Sequence, residues 1–503
     1  MMRTPRRRLI AGLFLAPVLT GCFASGADGS PSSGSSGSEE GARLRVALAF
    51  GPTEHYTPYG QDAFIMSRLG VSEGLIKLDA NGTAIPALAE SWSSDKDGRS
   101  WVFTLRDARF QDGTAVTATA VASALTHAAE AEPPPAALSG VKLTAQALDE
   151  DRVWVGTSTA DPVLPLRLSN PSLAIFSPKA YEKNGTVNPV GTATGPFEIT
   201  KITGDTEAAL NRFDGYWDGR AQAPGIDVRF IADGTARANA LRTGQVDIAQ
   251  AIPVSQIASL DEDTVHETDT ARDTSLYLNT RSGPFTDPGL RAAAREAIGN
   301  SVIAKQVYEG YAQPAKGLFG PALPWAAGKR VAPTGRAKAT APGGKSITIA
   351  TYSTRPELPE VAQVLQQDLQ KAGFEVKLVV RGDSQVESDM LAGKYDAAVT
   401  SRNMMLDTGD PVSVLASDFT CHGTYSLSRL CDKNVDRLVA AAQTESDAAK
   451  RQDAAMKAEA AILGTDAVIP LVHVKAVQGI GKSVEGALFS WDERQYVGTG
   501  TRR

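Results

Sequence analysis

The residues able to do chemistry in this chain are few, and they are scattered. The five histidines, His55, His127, His266, His422 and His473, share no metal-ligand spacing. Each reads as structural; His422 beside Cys421 is the one position to watch for a metal. If Cys421 sits in a disulfide it is no thiolate ligand, and that option closes. The hydrolase elbow Gly-x-Ser-x-Gly does not occur. Gly343-Gly344-Lys345-Ser346 suggests a phosphate-binding loop, but the first glycine of that motif would fall on Ala339. The expectation is a chain that performs no covalent chemistry and holds neither cofactor nor resident metal.

The cysteines say where the chain works. There are three, Cys22, Cys421 and Cys431. Cys22 follows a leader: Arg3, Arg6, Arg7 and Arg8, then an apolar run from Leu9 to Thr20 that is too short to span a bilayer. Leu19-Thr20-Gly21-Cys22 looks like a bacterial lipobox, in which the cysteine receives lipid before cleavage; the alternative is an ordinary signal peptide with an incidental cysteine. Arg6-Arg7-Arg8 fits either export route. With Cys22 lipidated, Cys421 and Cys431 remain as an even pair in an oxidising compartment. A bridge across so short a loop would contribute roughly 2–3 kcal/mol.

Removing residues 1–21 takes away four arginines and no acids, so the formal charge goes from -6 to -10. An exported acidic chain is a poor partner for nucleic acid. No later run is long and apolar enough to cross a membrane, so the anchor would be the lipid alone. Residues 22–42 are Ser/Gly-rich from Ala24 to Gly41 and read as a tether, with a reach on the order of 25 Å.

These features need elements to position them. Leu44, Val46 and Leu48 alternate as a first strand. From Glu73 to Val121 the pattern is strand, turn, strand, then helix. Trp101, Phe103 and Leu105 share one face of an alternating strand, and Asp97-Gly98 and Asp112-Gly113 are its turns. Glu132-Pro133-Pro134-Pro135 breaks the helix, and Leu143 to Val155 reads as a hairpin turning at Asp149-Glu150-Asp151. Asp227 to Ile231 is a strand, followed by a helix ending at Gly244. Leu276 to Thr280 is a strand, and Asp287-Pro288 opens a helix as N-cap and N1. Pro324 to Lys345, rich in Ala, Gly, Pro and Lys, reads as loop or disorder. Ile347–Thr351, the helical stripe Val361, Val364, Leu365 and Leu369, and Val376, Leu378 and Val380 form a strand-helix-strand unit, hence a parallel right-handed pair. Asp447 to Leu463 is a long helix, and Val468 to Val474 a last strand.

The order of these blocks resembles the peptide/nickel family of extracytoplasmic solute-binding proteins, receptors of ABC importers. The resemblance rests on Glu73-Gly74-Leu75, Pro86-Ala87-Leu88-Ala89-Glu90-Ser91-Trp92, Trp101 to Arg106 and Phe110 to Thr114. It also rests on Pro189 to Phe197, with two extra residues, and on Asn211 to Trp217. It implies an α/β, two-lobed periplasmic-binding-protein fold with two crossovers as a hinge. Lobe one would take 43–275, with an extra subdomain inserted at about 61–180, and 470–503; lobe two would take 276–469. Ligands of such folds sit in the interlobe cleft.

The resemblance also implies site residues. Met404-Met405-Leu406-Asp407-Thr408-Gly409-Asp410-Pro411 is similar to the Trp-x-x-Asp-x-x-Asp-Pro loop of dipeptide-binding members, where the first aspartate pairs with the peptide's α-ammonium. Asp407 falls on that position, and an enclosed ammonium needs a fixed carboxylate; the alternative is a turn aspartate capping backbone N–H groups. Met404 stands where the family has tryptophan. Arg355-Pro356 resembles the segment whose arginine takes the peptide carboxylate, a bidentate match for a guanidinium; the alternative is a plain surface arginine. Cys421, Gly423, Tyr425, Ser426 and Cys431 resemble the cysteine-bracketed loop of the same group. Tyr56, Tyr59 and Trp491 are aromatic candidates for the cleft or for the core. The expectation is a monomeric, lipid-anchored extracytoplasmic receptor that captures a short peptide and passes it to separate ABC permease subunits. Its alternatives are a nickel-chelate or metallophore receptor of the same family, an exported peptide-sensing lipoprotein, or a hydrolase.

Overall fold

The structure, a computed structural model, describes residues 41–138, 140–182, 185–405 and 408–503. The leader, Cys22, most of the tether and Asp407 lie outside the described residues. The fold is the two-lobed α/β arrangement, organised on one mixed sheet of eleven strands. Across the sheet the order is Glu375–Arg381, Ser346–Tyr352, Ala397–Asn403, Val265–Leu278, Val468–Ile480, Ile248–Ala249, Leu44–Leu48, Gly225–Phe230, Glu207–Arg212 and Phe197–Thr203. The short strand Ala312–Pro314 adds to Val468–Ile480.

Each half contains a parallel pair with buried, branched side chains, as a doubly covered sheet requires. Leu44, Val46 and Leu48 are fully buried between Gly225–Phe230 and Ile248–Ala249, and run parallel to both. In the other half Ser346–Tyr352 runs parallel to Glu375–Arg381. The helix Glu357–Lys371 links that pair, burying Leu358, Val361, Leu365 and Leu369. It stops because Gly373 takes φ 101°, a left-handed turn that a side chain would resist.

The two halves share the long antiparallel strands Val265–Leu278 and Val468–Ile480, paired from Val265↔Gly479 to Tyr277↔Val468. Both run further than their sequence suggests, because their outer ends are half-polar and carry little apolar alternation. The Glu73–Val121 stretch contributes to a separate four-stranded sheet, Ala89–Ser94, Ser100–Leu105, Arg152–Thr157 and Leu143–Ala147. Phe103, Phe110, Val121, Leu125, Val153 and Val155 form its core under the helix Ala118–Glu130.

One segment departs from its sequence reading. Pro324–Lys329 is a short helix in place of loop or disorder, while residues 330–345 are loop, as the sequence suggests, and that loop is pinned. Arg330 meets the buried carboxylate of Glu459 at 3.1 Å and donates to the Phe319 carbonyl at 2.6 Å. Thr340 N bonds the Gly289 carbonyl at 3.0 Å. A carboxylate with no exposure needs a cation, and Arg330 is that cation. Cys421 and Cys431 form a disulfide, with Cα atoms 4.2 Å apart.

Candidate functional site

The carboxyl ends of the parallel strands open onto one cavity, the place where open α/β sheets bind ligands. Ala49 and Phe50 follow Leu44–Leu48, Thr354 to Glu357 follow Ser346–Tyr352, and Ser401 lies two residues before the end of Ala397–Asn403. The crossing strands supply Thr270, Arg272 and Val474 to Gln478, and the C-terminal segment supplies Glu493 and Tyr496. The cavity has a volume of about 130 Å³ and is open to solvent.

Three guanidinium groups line it in three different states. Arg237 donates to the carbonyls of Ile231, Ala232, Gln250 and Ala251 at 2.7–2.8 Å. Its fork is spent on holding the strand end, and burial pushes its pKa down to about 10. Arg272 pairs with both oxygens of Glu493, at 3.0 and 3.2 Å. Burial alone would raise the Glu493 carboxyl, but Arg272 and Arg355 outweigh it and hold the group at about 2.

Arg355 is half-buried and has neither an ion pair nor a side-chain hydrogen bond among the described residues. Burial lowers its pKa, the neighbouring Arg272 adds to that, and Glu493 opposes it. Such a guanidinium has lost water without gaining an anion, so the cavity favours a ligand that supplies one. Two further groups could serve a ligand: the Ser401 hydroxyl has no partner among the described residues, and Phe50 is 39% exposed at the rim. Glu493 and Ala251 both hold left-handed backbone, at φ 61° and 50°. Non-glycine residues rarely adopt that conformation except where the surroundings enforce it.

The remaining expected site residues are placed as follows. Tyr56 does not line the cavity: it is 2% exposed, in the core beneath Leu44–Leu48. The Asp62 carboxylate gathers the N–H groups of Thr53, Glu54 and Tyr56 at 2.8–2.9 Å and turns that side chain inward. Met404 is likewise in the core rather than the cavity, at 2% exposure, because its backbone continues the sheet through Ala271. Tyr59 lines a separate groove with His127 and Tyr181, and Trp491 is buried with its indole N–H on the Asp79 carbonyl.

Asp407 lies outside the described residues, but its flanks are fixed. Asp410 caps the helix Pro411–Phe419 through Ser413 N and takes Arg451 on both oxygens, at 2.9 and 2.6 Å. Arg494 reaches the Met405 carbonyl on the other side. The second aspartate of this loop is therefore structural. No group of three or more His, Cys, Asp or Glu among the described residues is arranged to hold a metal. His473 is buried and pushed down to about 4, hence neutral. No helix among the described residues is long and apolar enough to cross a membrane. Sequence reasoning missed Arg272, Glu493, Arg237 and Ser401; the one signal for the first two was charge inside otherwise apolar or aromatic runs, Ala271-Arg272-Asp273 and Trp491-Asp492-Glu493.

A sequence model of the bacterial extracellular solute-binding proteins, family 5, middle region, matches residues 83–426. The glutathione-binding protein GsiB of Shigella dysenteriae is 27% identical over 441 residues, covering 82% of this chain and 85% of that protein. The nickel-binding protein NikA of Staphylococcus aureus is 26% identical over 350 residues, covering 67% of this chain and 70% of that protein. Among solved structures, NikA from Staphylococcus aureus in complex with Ni(L-His)2 superposes with TM-score 0.78 at 22% identity, covering 92% of this chain and all of that one. DppA from Helicobacter pylori in complex with the peptide STSA does so with TM-score 0.75 at 21% identity, covering 92% and 98%.

Proposed function

Because the chain belongs to the family-5 bacterial extracellular solute-binding proteins, which are receptors of ABC transporters and not enzymes, we propose that it captures short peptides in the cavity around Arg355. The observation that carries this is the partly buried Arg355 guanidinium with no ion pair of its own among the described residues, in a cavity also lined by a hydroxyl, Ser401, with no partner among them. A peptide α-carboxylate supplies the missing charge in a planar, bidentate form. Asp407, on the loop braced by Asp410 and Arg494, takes the α-ammonium. Residues 43–275 with 470–503, and 276–469, act as the two lobes that close on the ligand. Cys22 carries the lipid, and residues 22–42 tether a monomer that hands its ligand to permease subunits in the membrane.

A nickel chelate is the second reading. The described residues offer no donor cluster, so the metal would arrive already chelated, and its carboxylates would meet Arg355. Native mass spectrometry of the co-purified ligand, followed by calorimetry with dialanine, glutathione and nickel-histidine, separates the readings. Binding of dialanine or glutathione with none of nickel-histidine supports the peptide. The reverse pattern replaces it with the chelate.

A further inference from the structure

The strand that brings Arg272 into the cavity sends its next residue the other way. Asp273 is fully buried on the opposite face, together with Ser275 and Tyr277. The register Asp273↔Arg402 and Ser275↔Thr400 puts Arg402 and Thr400 on that same face. The helix Pro411–Phe419 covers it, with Asp418 1% exposed and Phe419 stacked on Tyr277, ring centroids 6.3 Å apart.

One oxygen of Asp273 accepts the Ser275 hydroxyl, and the other has no partner among the described residues. The hydroxyls of Tyr277 and Thr400 have none among them either. Arg402 is engaged by Asp418 at 3.1 Å and lies 4.4 Å over the Tyr425 ring. Arg272, the nearest cation along the strand, is held by Glu493 in the cavity. Two carboxylates and one guanidinium therefore share a closed space. A carboxylate with a single donor and no exposure is a costly anion, and a proton removes the cost without needing room.

The other groups that face this space do not change that balance. Tyr425 comes from the loop after the covering helix, and Glu387, from the helix Asp383–Leu391, faces Tyr425. His473 stands opposite Asp273 on the second crossing strand, and burial pushes it down to about 4, so it is neutral near pH 7. Burial pushes the Asp273 carboxyl up to about 7 against the Ser275 hydroxyl; Asp418 adds to the rise, and Arg272 and Arg402 oppose it.

We propose that Asp273 is a proton-binding site coupled to the ligand cavity: an anion settling beside Arg355 and Arg272 draws a proton from solvent onto Asp273. The charge of Arg272 stands between the two sites and stabilises both anions. A ligand carboxylate uses part of that stabilisation and makes ionised Asp273 less favourable. By reciprocity, protonated Asp273 strengthens anion binding. The coupling to ligand rests on the reading of the cavity as a carboxylate site; the titration of Asp273 does not.

The test begins on the ligand-free chain. With aspartate carboxyl carbons labelled, one resonance titrates near pH 7 and is missing in Asp273→Asn, with Asp273→Ser as a second assigning variant. If every aspartate carboxyl titrates in the ordinary acidic range, the proposal is overturned. Arg355→Gln, which removes cavity charge as a bound carboxylate would, moves that midpoint upward by some tenths of a pH unit; an unmoved midpoint overturns the coupling. Calorimetry of dialanine near pH 7, in two buffers of different ionisation heat, reads the uptake of a fraction of a proton by the wild type and none by Asp273→Asn. Equal uptake in both overturns it. If neither dialanine nor glutathione binds, the peptide reading fails, and the two ligand-free titrations still decide on Asp273.

Discussion

Arg355→Gln separates a binding arginine from a structural one. Glutamine keeps a planar polar head on a shorter stem and removes the charge. In the ligand-free protein the guanidinium makes no ion pair among the described residues, and burial with the neighbouring Arg272 disfavours its charged form more than Glu493 favours it. Neutralising it should leave the melting temperature unchanged or slightly higher. Binding should behave in the opposite way. Truncating one partner of a buried, hydrogen-bonded charge pair costs about 2–5 kcal/mol, which at about 1.4 kcal/mol per tenfold is roughly thirty-fold to a few thousand-fold in affinity. Dialanine and its C-terminal amide, titrated into wild type and variant, make a double-mutant cycle. The amide should lose about as much on the wild type as the free acid loses on the variant. The amide on the variant should lose little more, because both changes delete one interaction. Wild-type binding of the amide as tight as that of the acid would refute Arg355 as the carboxylate anchor. A marked fall in melting temperature would refute the claim that the group is unpaired.

The same cycle with N-acetyl-dialanine applies to Asp407→Asn: removing one member of an enclosed pair at roughly 3–5 kcal/mol lowers affinity by more than about a hundredfold, and tight binding of the acetylated peptide by the wild type would remove Asp407 as anchor. Asp410→Asn should act on stability instead. It leaves the buried Arg451 without its carboxylate, and chemical denaturation should report a loss of about 3–5 kcal/mol; a loss under about 1 kcal/mol would contradict the bracing role. Cys22→Ala should move the protein from the membrane fraction to the medium, and an unchanged fraction would argue against lipidation. Asp273 predicts a pH slope. Its folded carboxyl, at about 7 against an ordinary 3.8, is protonated where the unfolded chain is ionised, so stability falls as pH rises through that window and then levels off. The full span is roughly 4 kcal/mol. Asp273→Asn should flatten it, and a wild-type denaturation free energy independent of pH across the window would disprove it.

The sequence made the strand-helix-strand units legible because their signals are local. Asp287 caps its helix through Gly289 N at 2.7 Å, Asp447 caps the long helix through Lys450 N at 2.9 Å, and Gly244 and Gly373 end theirs in left-handed turns. The disulfide was legible by counting cysteines. The family resemblance pointed to Arg355, which lines the cavity, and Tyr56 was misplaced because the turn that buries it is set by Asp62, whose bonds to three N–H groups are not written in any periodic pattern. The pinned chain after Pro324 was hidden for the same kind of reason. Its partner, Glu459, lies 129 positions from Arg330.

The deeper limit is parity. In a regular strand the face of each residue follows from its neighbours, and a reader could have sent Arg272 one way and Asp273 the other. The first crossing strand is not regular. Its pairing with Val468–Ile480 shifts between Asp269 and Asp273, and again between Thr274 and Ser275. Counting from the apolar end, Leu276 and Leu278, across such a shift assigns faces correctly only if the irregularity is already known. The pairing with Ala397–Asn403 runs without interruption, and it is this partner that fixes Arg272 on the cavity side and Asp273 on the buried side. Two adjacent charges, identical in sequence logic, thus acquire different chemistry from a strand about 130 positions away. One holds the carboxylate that shapes the cavity. The other is left with a proton to bind.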